Sequence, residues 1–174
     1  MNLRAEILKD ERSRSQTEHI ARWIGSDPKR FARLMDLFLN DEYRVVQRAA
    51  WVVSAVADQY PERIEPWLKP MISKLITPEV PVAVKRNVVR VLRHRKIPKS
   101  LHGVLMNACL GFVADPKETV AVRCFSMTIL AELAEIYPEI RQELETIIRD
   151  QLEQGATPGF RSLARKVLAG RGTK

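Results

Sequence analysis

Cysteine and histidine are scarce in this chain of 174 residues, with two of the first and three of the second. Cys109 and Cys124 are too few for a disulfide framework, and both fall in apolar stretches, where small buried thiols are common. Of the histidines, His19, His94 and His102, no two stand at metal-ligand spacing, and His94 sits inside the basic run Arg93-His94-Arg95-Lys96, where a cation is disfavoured. Gly170-Arg171-Gly172 reads as a helix stop and tail, not as a phosphate loop. No apolar run approaches the ~20 residues of a membrane span. The first residues mix Arg4, Glu6, Lys9, Asp10 and Glu11 with apolar positions, unlike a signal peptide. These absences lead to the expectation of a cytoplasmic protein without metal, cofactor or catalytic residues. Convincing strand alternation is lacking too.

Acid is missing from one whole region. Residues 81–114 carry seven lysines and arginines and no aspartate or glutamate, and residues 158–174 carry five basic residues and no acid. Residues 1–80 are nearly balanced, with 13 basic and 12 acidic side chains, while 115–157 have 4 basic and 9 acidic. The formal charge of +8 is therefore local. It points to an acidic partner, either protein or nucleic acid.

What is present is amphipathic helix. Ile64, Trp67, Leu68, Met71, Ile72 and Leu75 follow the spacing of one apolar stripe, as do Phe31, Leu34, Met35 and Phe38. Asp27-Pro28 is an N-cap followed by proline at the first helical position. Asp115-Pro116-Lys117-Glu118 reads as the same start with a capping glutamate, and Ser15 with Glu18 as a capping box. Trp23 and Trp67 are expected in the core. The stripes and breaks predict five helix pairs, over 2–12 and 15–25, 28–39 and 43–58, 62–76 and 80–95, 99–113 and 117–135, and 139–153 and 159–169. The short loops between them predict one domain over 1–174.

The pairs repeat. Val46-Gln47, Val84-Lys85, Val122-Arg123 and Phe160-Arg161 recur every 38 residues, a period that marks stacked helical hairpins. Val82-Ala83-Val84-Lys85 and Val120-Ala121-Val122-Arg123 each begin four residues after a proline, Pro78 or Pro116. Pro66 lies inside an apolar helical stripe and is expected to kink it. Together these features resemble the HEAT repeat family, most clearly over residues 28–170, with an irregular first pair over 2–25. Gln47 departs from the family's usual arginine. The resemblance implies an all-α fold, a right-handed α-solenoid of about five antiparallel pairs, with second helices on its concave side. It also implies use as a non-enzymatic scaffold that binds protein. A subgroup of the family binds DNA, including alkylpurine DNA glycosylases, but their site residues do not map onto this chain.

Function is expected where the repeats differ. Arg86, Arg90 and Arg93 are spaced to share one helix face, away from Val84, Val88, Val91 and Leu92. Arg44, Arg48 and Trp51 hold related positions in the preceding pair. These six form the candidate binding surface, for a protein partner or acidic segment, or alternatively for phosphates and a stacked base. Reversing Arg86 and Arg90 to glutamate is expected to abolish binding with stability nearly unchanged. Gln47, Lys85, Arg123 and Arg161 recur with the architecture and are expected to tie one pair to the next.

Overall fold

Local sequence signals set most of the helix starts. The computed structural model describes residues 1–9 and 13–170. Among these lie ten α-helices and one 3-10 helix, and no strand. The first pair is α1 (Leu3–Leu8) and α2 (Arg14–Ile24); the second is α3 (Pro28–Asn40) and α4 (Tyr43–Gln59). The 3-10 helix Pro61–Trp67 runs into α5 (Leu68–Leu75), which is followed by α6 (Val82–Leu92). Then come α7 (Lys99–Ala114) with α8 (Val120–Leu133), and α9 (Pro138–Glu153) with α10 (Pro158–Leu168). Each expected helix has a counterpart, the one over 62–76 being a 3-10 helix in its first half. The last three residues of the helix expected over 2–12 lie outside the described residues, as do Arg171 and Gly172.

Contacts divide the chain into two compact units, Met1–Val91 and Leu92–Lys174. In the first, Phe31, Leu34, Met35 and Phe38 of α3 are buried against the Val45, Ala49, Val52 and Val56 stripe of α4. Burying each such side chain contributes about 1.5–3 kcal/mol, which offsets the entropy of ordering the helices. In the second unit Leu105, Cys109 and Val113 of α7 pack with Val122, Met127 and Leu130 of α8. Leu144 and Ile148 of α9 and Phe160 and Ala164 of α10 complete that core.

Caps account for where several helices begin. The Asp27 carboxylate accepts from the Lys29 and Arg30 amides at 2.8 and 3.2 Å, ahead of Pro28. Those bonds hold the Asp27 carboxyl below its ordinary pKa, the Arg30 amide contributing most. Two predicted starts are displaced. The cap of α2 is Ser13, not Ser15: its hydroxyl accepts from the Gln16 amide at 3.0 Å. The Gln16 side chain meanwhile turns to α1, donating to the Glu6 carbonyl and carboxylate at 3.2 and 3.1 Å. Asp115 does not start α8 either. Its carboxylate accepts from Lys117 at 2.9 Å and its carbonyl from Glu118 at 3.2 Å, closing a turn. The helix begins only at Val120, matching the start of α6 at Val82.

The irregularity expected at Pro66 takes the form of a change of helix type. Residues 61–67 wind as a 3-10 helix and α geometry begins at Leu68, which accommodates a residue that cannot donate to an α ladder. Pro70 falls in the first turn of α5, where amide protons have no intrahelical partner to lose. Trp67 is half-buried there, edge-on to Phe31 with ring centroids 6.5 Å apart. Trp23 is also half-buried, with the Arg30 guanidinium 4.5 Å from its ring centre. Both fall short of full core burial because each ring reaches the edge of its helix stripe.

Candidate functional site

In the first unit, α4 and α6 bring two of the predicted residues into contact. Trp51 leaves α4 with 44 % of its surface exposed, because the positions flanking its face, Val52 and Val56, take the core. The Arg86 guanidinium of α6 lies 4.8 Å from the Trp51 ring centre. Such a pair covers part of the ring with a cation and leaves the rest open to solvent. Arg44 is exposed in the first turn of α4.

Arg48 and Arg90 serve neighbouring backbone and side chains. Arg48 Nη1 donates to the Ile7 and Lys9 carbonyls at 3.2 and 3.0 Å. These groups sit at the C-terminal end of α1, where carbonyls lack helical partners. Arg90 donates to both oxygens of Asp58, at 3.2 and 2.6 Å, and to the Ser54 hydroxyl. It is therefore a clamp from α6 to α4. Reversing its charge would set two carboxylates side by side, so the expectation of unchanged stability fits Arg86 and does not fit Arg90. Arg93 belongs to the second unit, where its guanidinium lies 4.6 Å from the Phe125 ring centre.

The four recurrent positions differ in surroundings. Arg123 is 4 % exposed. Its Nε and Nη2 donate to the Val113 carbonyl at 3.2 and 2.9 Å, and Nη2 also to Gln151 Oε1 at 2.6 Å. Its guanidinium lies 4.2 Å from the Phe160 ring centre. One side chain thus joins the end of α7 to α9 and α10, and burial lowers its pKa. Gln47 and Lys85 are half-buried and Arg161 is exposed.

Sequence reading missed a cleft of about 570 Å³ between α1, α2 and α4. Ile7, Ile20 and Val52 form its apolar part, and Lys9, Arg14 and Arg48 bring three cations to its lining. Trp51 and Gln47 belong to the same lining, with Gln16 and Thr17 opposite on α2. Among the described residues the lining includes no carboxylate, although Lys9 and Arg14 are paired with Glu6 and Glu18 beside it, each at 2.7 Å. Residues so far apart in sequence share no periodic signal; only the return of α1 and α2 over α4 brings them together.

Groups suited to covalent chemistry are placed elsewhere. Burial pushes the Cys109 thiol up to about 12, and burial raises that of Cys124 as well, so neither is a ready thiolate. His102 is buried, with Nε2 donating to the Ile97 carbonyl at 2.8 Å and Nδ1 3.0 Å from the Tyr137 hydroxyl. A carbonyl only accepts, which fixes the proton on Nε2 and makes this histidine a strut between loop and helix. Among the described residues, no group of three or more His, Cys, Asp or Glu is placed to hold a metal ion. Among them, too, no helix is long and apolar enough to cross a membrane.

Paired helices and a fixed period agree with a comparison against family models. A model described as the HEAT repeat domain matches residues 4–171. The chain belongs to the HEAT repeat family. Its fold is accordingly all-α, an α-solenoid. The match takes in the irregular first pair, and with it the cleft. Neither a curated protein nor a solved structure shows a significant match. HEAT repeats are of the protein-interaction scaffold type.

Proposed function

We propose that this HEAT repeat chain is a non-enzymatic binding module. It engages an acidic protein partner through the second-helix face that carries Arg44, Arg48, Trp51 and Arg86, in the cytoplasm and as one repeat domain. The observation that carries the reading is Trp51. An exposed tryptophan costs free energy in water, and here it is framed by cations, Arg86 over the ring and Arg48 in the same cleft lining. Aromatic and arginine side chains together make frequent binding anchors. The buried Cys109 thiol and the His102 strut are in structural settings, which supports a role without chemistry.

A second reading, nucleic-acid binding, draws on the seven basic residues and absent acids of 81–114. Titration of labelled duplex and single-stranded DNA, beside an acidic peptide of matched charge, at two salt concentrations separates the two. Peptide binding that falls at least tenfold in Trp51→Ala and Arg86→Glu, with weak DNA binding, supports the protein-partner reading. Tighter DNA binding that weakens steeply with salt replaces it with the second. Binding of either ligand that both substitutions leave unchanged would remove this face from the function.

A further inference from the structure

Each residue of the α7–α8 pair has a counterpart 38 positions on in the α9–α10 pair. Comparing their burial locates the surface that a following pair would cover. On α7, His102, Leu105 and Cys109 are buried; on α9 their counterparts Ile140 and Ile147 are half-buried and Glu143 is exposed. On α8, Arg123, Met127 and Leu130 are buried; on α10 Arg161 and Arg165 are exposed and Leu168 is half-buried. Arg123 shows what does the covering, since it reaches Gln151 of α9 and Phe160 of α10. The counterparts share one stripe on each helix, at i, i+3, i+7 on α9 and at i, i+4, i+7 on α10. They make up an end face of the second unit, open among the described residues. Glu143 and Arg165 stand where the inner pair has Leu105 and Met127. The face thus carries charges of both signs where the interface between pairs has apolar side chains.

Those charges are unspent. Among the described residues, Glu143, Arg161 and Arg165 make no ion pair. Asp150, at i+7 from Glu143 on the same stripe, accepts from the neutral side-chain amides of Gln151 and Gln154 at 3.2 and 2.9 Å. The residues beyond Gly170 bring two basic side chains and no acidic one. Acid therefore lines α9 and base lines α10 on a single face, which makes that face complementary to itself. We propose that a second copy of this chain docks there, end face to end face, about a twofold axis parallel to the helices. Such an axis sets α9 of one copy against α10 of the other at equal height. Measured at about 1.5 Å per residue from the turn that joins them, Asp150 and Arg161 both lie about 5 Å along their helices. Glu143 lies about 15 Å along α9 and Arg165 about 10 Å along α10, a difference that an arginine side chain spans. Asp150 thus meets Arg161 and Glu143 meets Arg165, and the symmetry doubles both pairs around the half-buried Ile140, Ile147 and Leu168. The other twofold arrangement, with its axis across the helices, sets α9 on α9 and α10 on α10, where like charges oppose docking.

The test measures association of the full chain by sedimentation velocity over about a hundredfold range of concentration. A reversible dimer that weakens with added salt is expected. Glu143→Arg and Arg165→Glu, each made alone, put like charges at both symmetry-related contacts and should weaken the dimer about tenfold or more. Mixing the two variants in equal amounts should restore it, because every contact then joins opposite charges. A structural role for either residue gives no such recovery. Amide shifts on concentrating the unaltered chain, confined to 139–151 and 160–169, locate the contact even where a variant fails to fold. Trp51→Ala should leave the dimer intact, since the inference stands apart from the reading of Trp51. A chain that stays monomeric throughout, a dimer untouched by both charge reversals or broken by Trp51→Ala, or folded variants that do not recover on mixing overturns the inference. So does a monomer that binds the acidic peptide or the DNA through Arg165, which gives the face to that ligand.

Discussion

Replacing Arg123 by methionine tests whether the recurrent basic position holds this fold together. Methionine keeps much of the volume and removes the charge. Two buried acceptors lose their donor: the Val113 carbonyl at the end of α7, and Gln151 Oε1 on α9. Leaving such a group unsatisfied costs about 1–3 kcal/mol. The contact with Phe160 at 4.2 Å adds about 0.5–2 kcal/mol. Against this, the buried guanidinium no longer has to be desolvated, and that relief is substantial for a charge. A net loss of about 2–4 kcal/mol is expected. Urea unfolding followed by helical circular dichroism reads it as a fall in midpoint of roughly 1–2 M at unchanged slope. All three tryptophans lie before residue 92, so their fluorescence follows the first unit and serves as an internal control. Arg161→Met, at the exposed equivalent position, should shift stability by no more than about 0.5 kcal/mol. In the cycle with Gln151→Leu, the double variant should lose clearly less than the sum of the singles. A midpoint for Arg123→Met equal to that of Arg161→Met, or strict additivity in the cycle, would refute the reasoning.

Other outcomes follow from the same contacts. Arg90→Glu should destabilise the first unit more than Arg86→Glu does, since only Arg90 is paired with Asp58; thermal melts of the two variants compare them directly. The Asp27 carboxyl is held below its ordinary value by the amides it caps. Its stabilisation is therefore fully present above the unfolded carboxylate range, about pH 4, and is lost as pH falls through the lower folded value. Asp27→Asn keeps a capping oxygen and should flatten that part of the acid-unfolding curve, which a pH titration of helicity measures. Cys109, buried with its thiol pushed up to about 12, should react with a thiol reagent at neutral pH only as fast as the chain unfolds. Fast labelling of Cys109 in the native protein would contradict its burial.

How far the sequence alone reached differs from helix to helix. The 3.6-residue stripes are a local property, so Phe31 to Phe38 and Ile64 to Leu75 announced their buried faces directly. Capping by Asp27 was legible because cap and amides lie within one turn. Ser15 and Asp115 were misread as helix starts for the opposite reason. Gln16 was drawn off to α1, and the Asp115 carboxylate closed a turn of its own, so the outcome at each depended on a competitor that spacing does not display.

The period of 38 residues, the all-α class and the local excess of basic charge were determined by the sequence, since each is written in neighbours along the chain. Only the tertiary structure decided which cations act within the fold. Arg48, Arg90 and Arg123 look alike in sequence to Arg86 and Arg161, yet the first three close on carbonyls or an acid brought from 10 to 41 residues away. The cleft beside Trp51 has the same origin. Helical periodicity tells a side chain which face it occupies. Packing of distant helices tells it what that face meets, and the partner, not the face, sets whether a charge is spent inside the molecule or offered outside it.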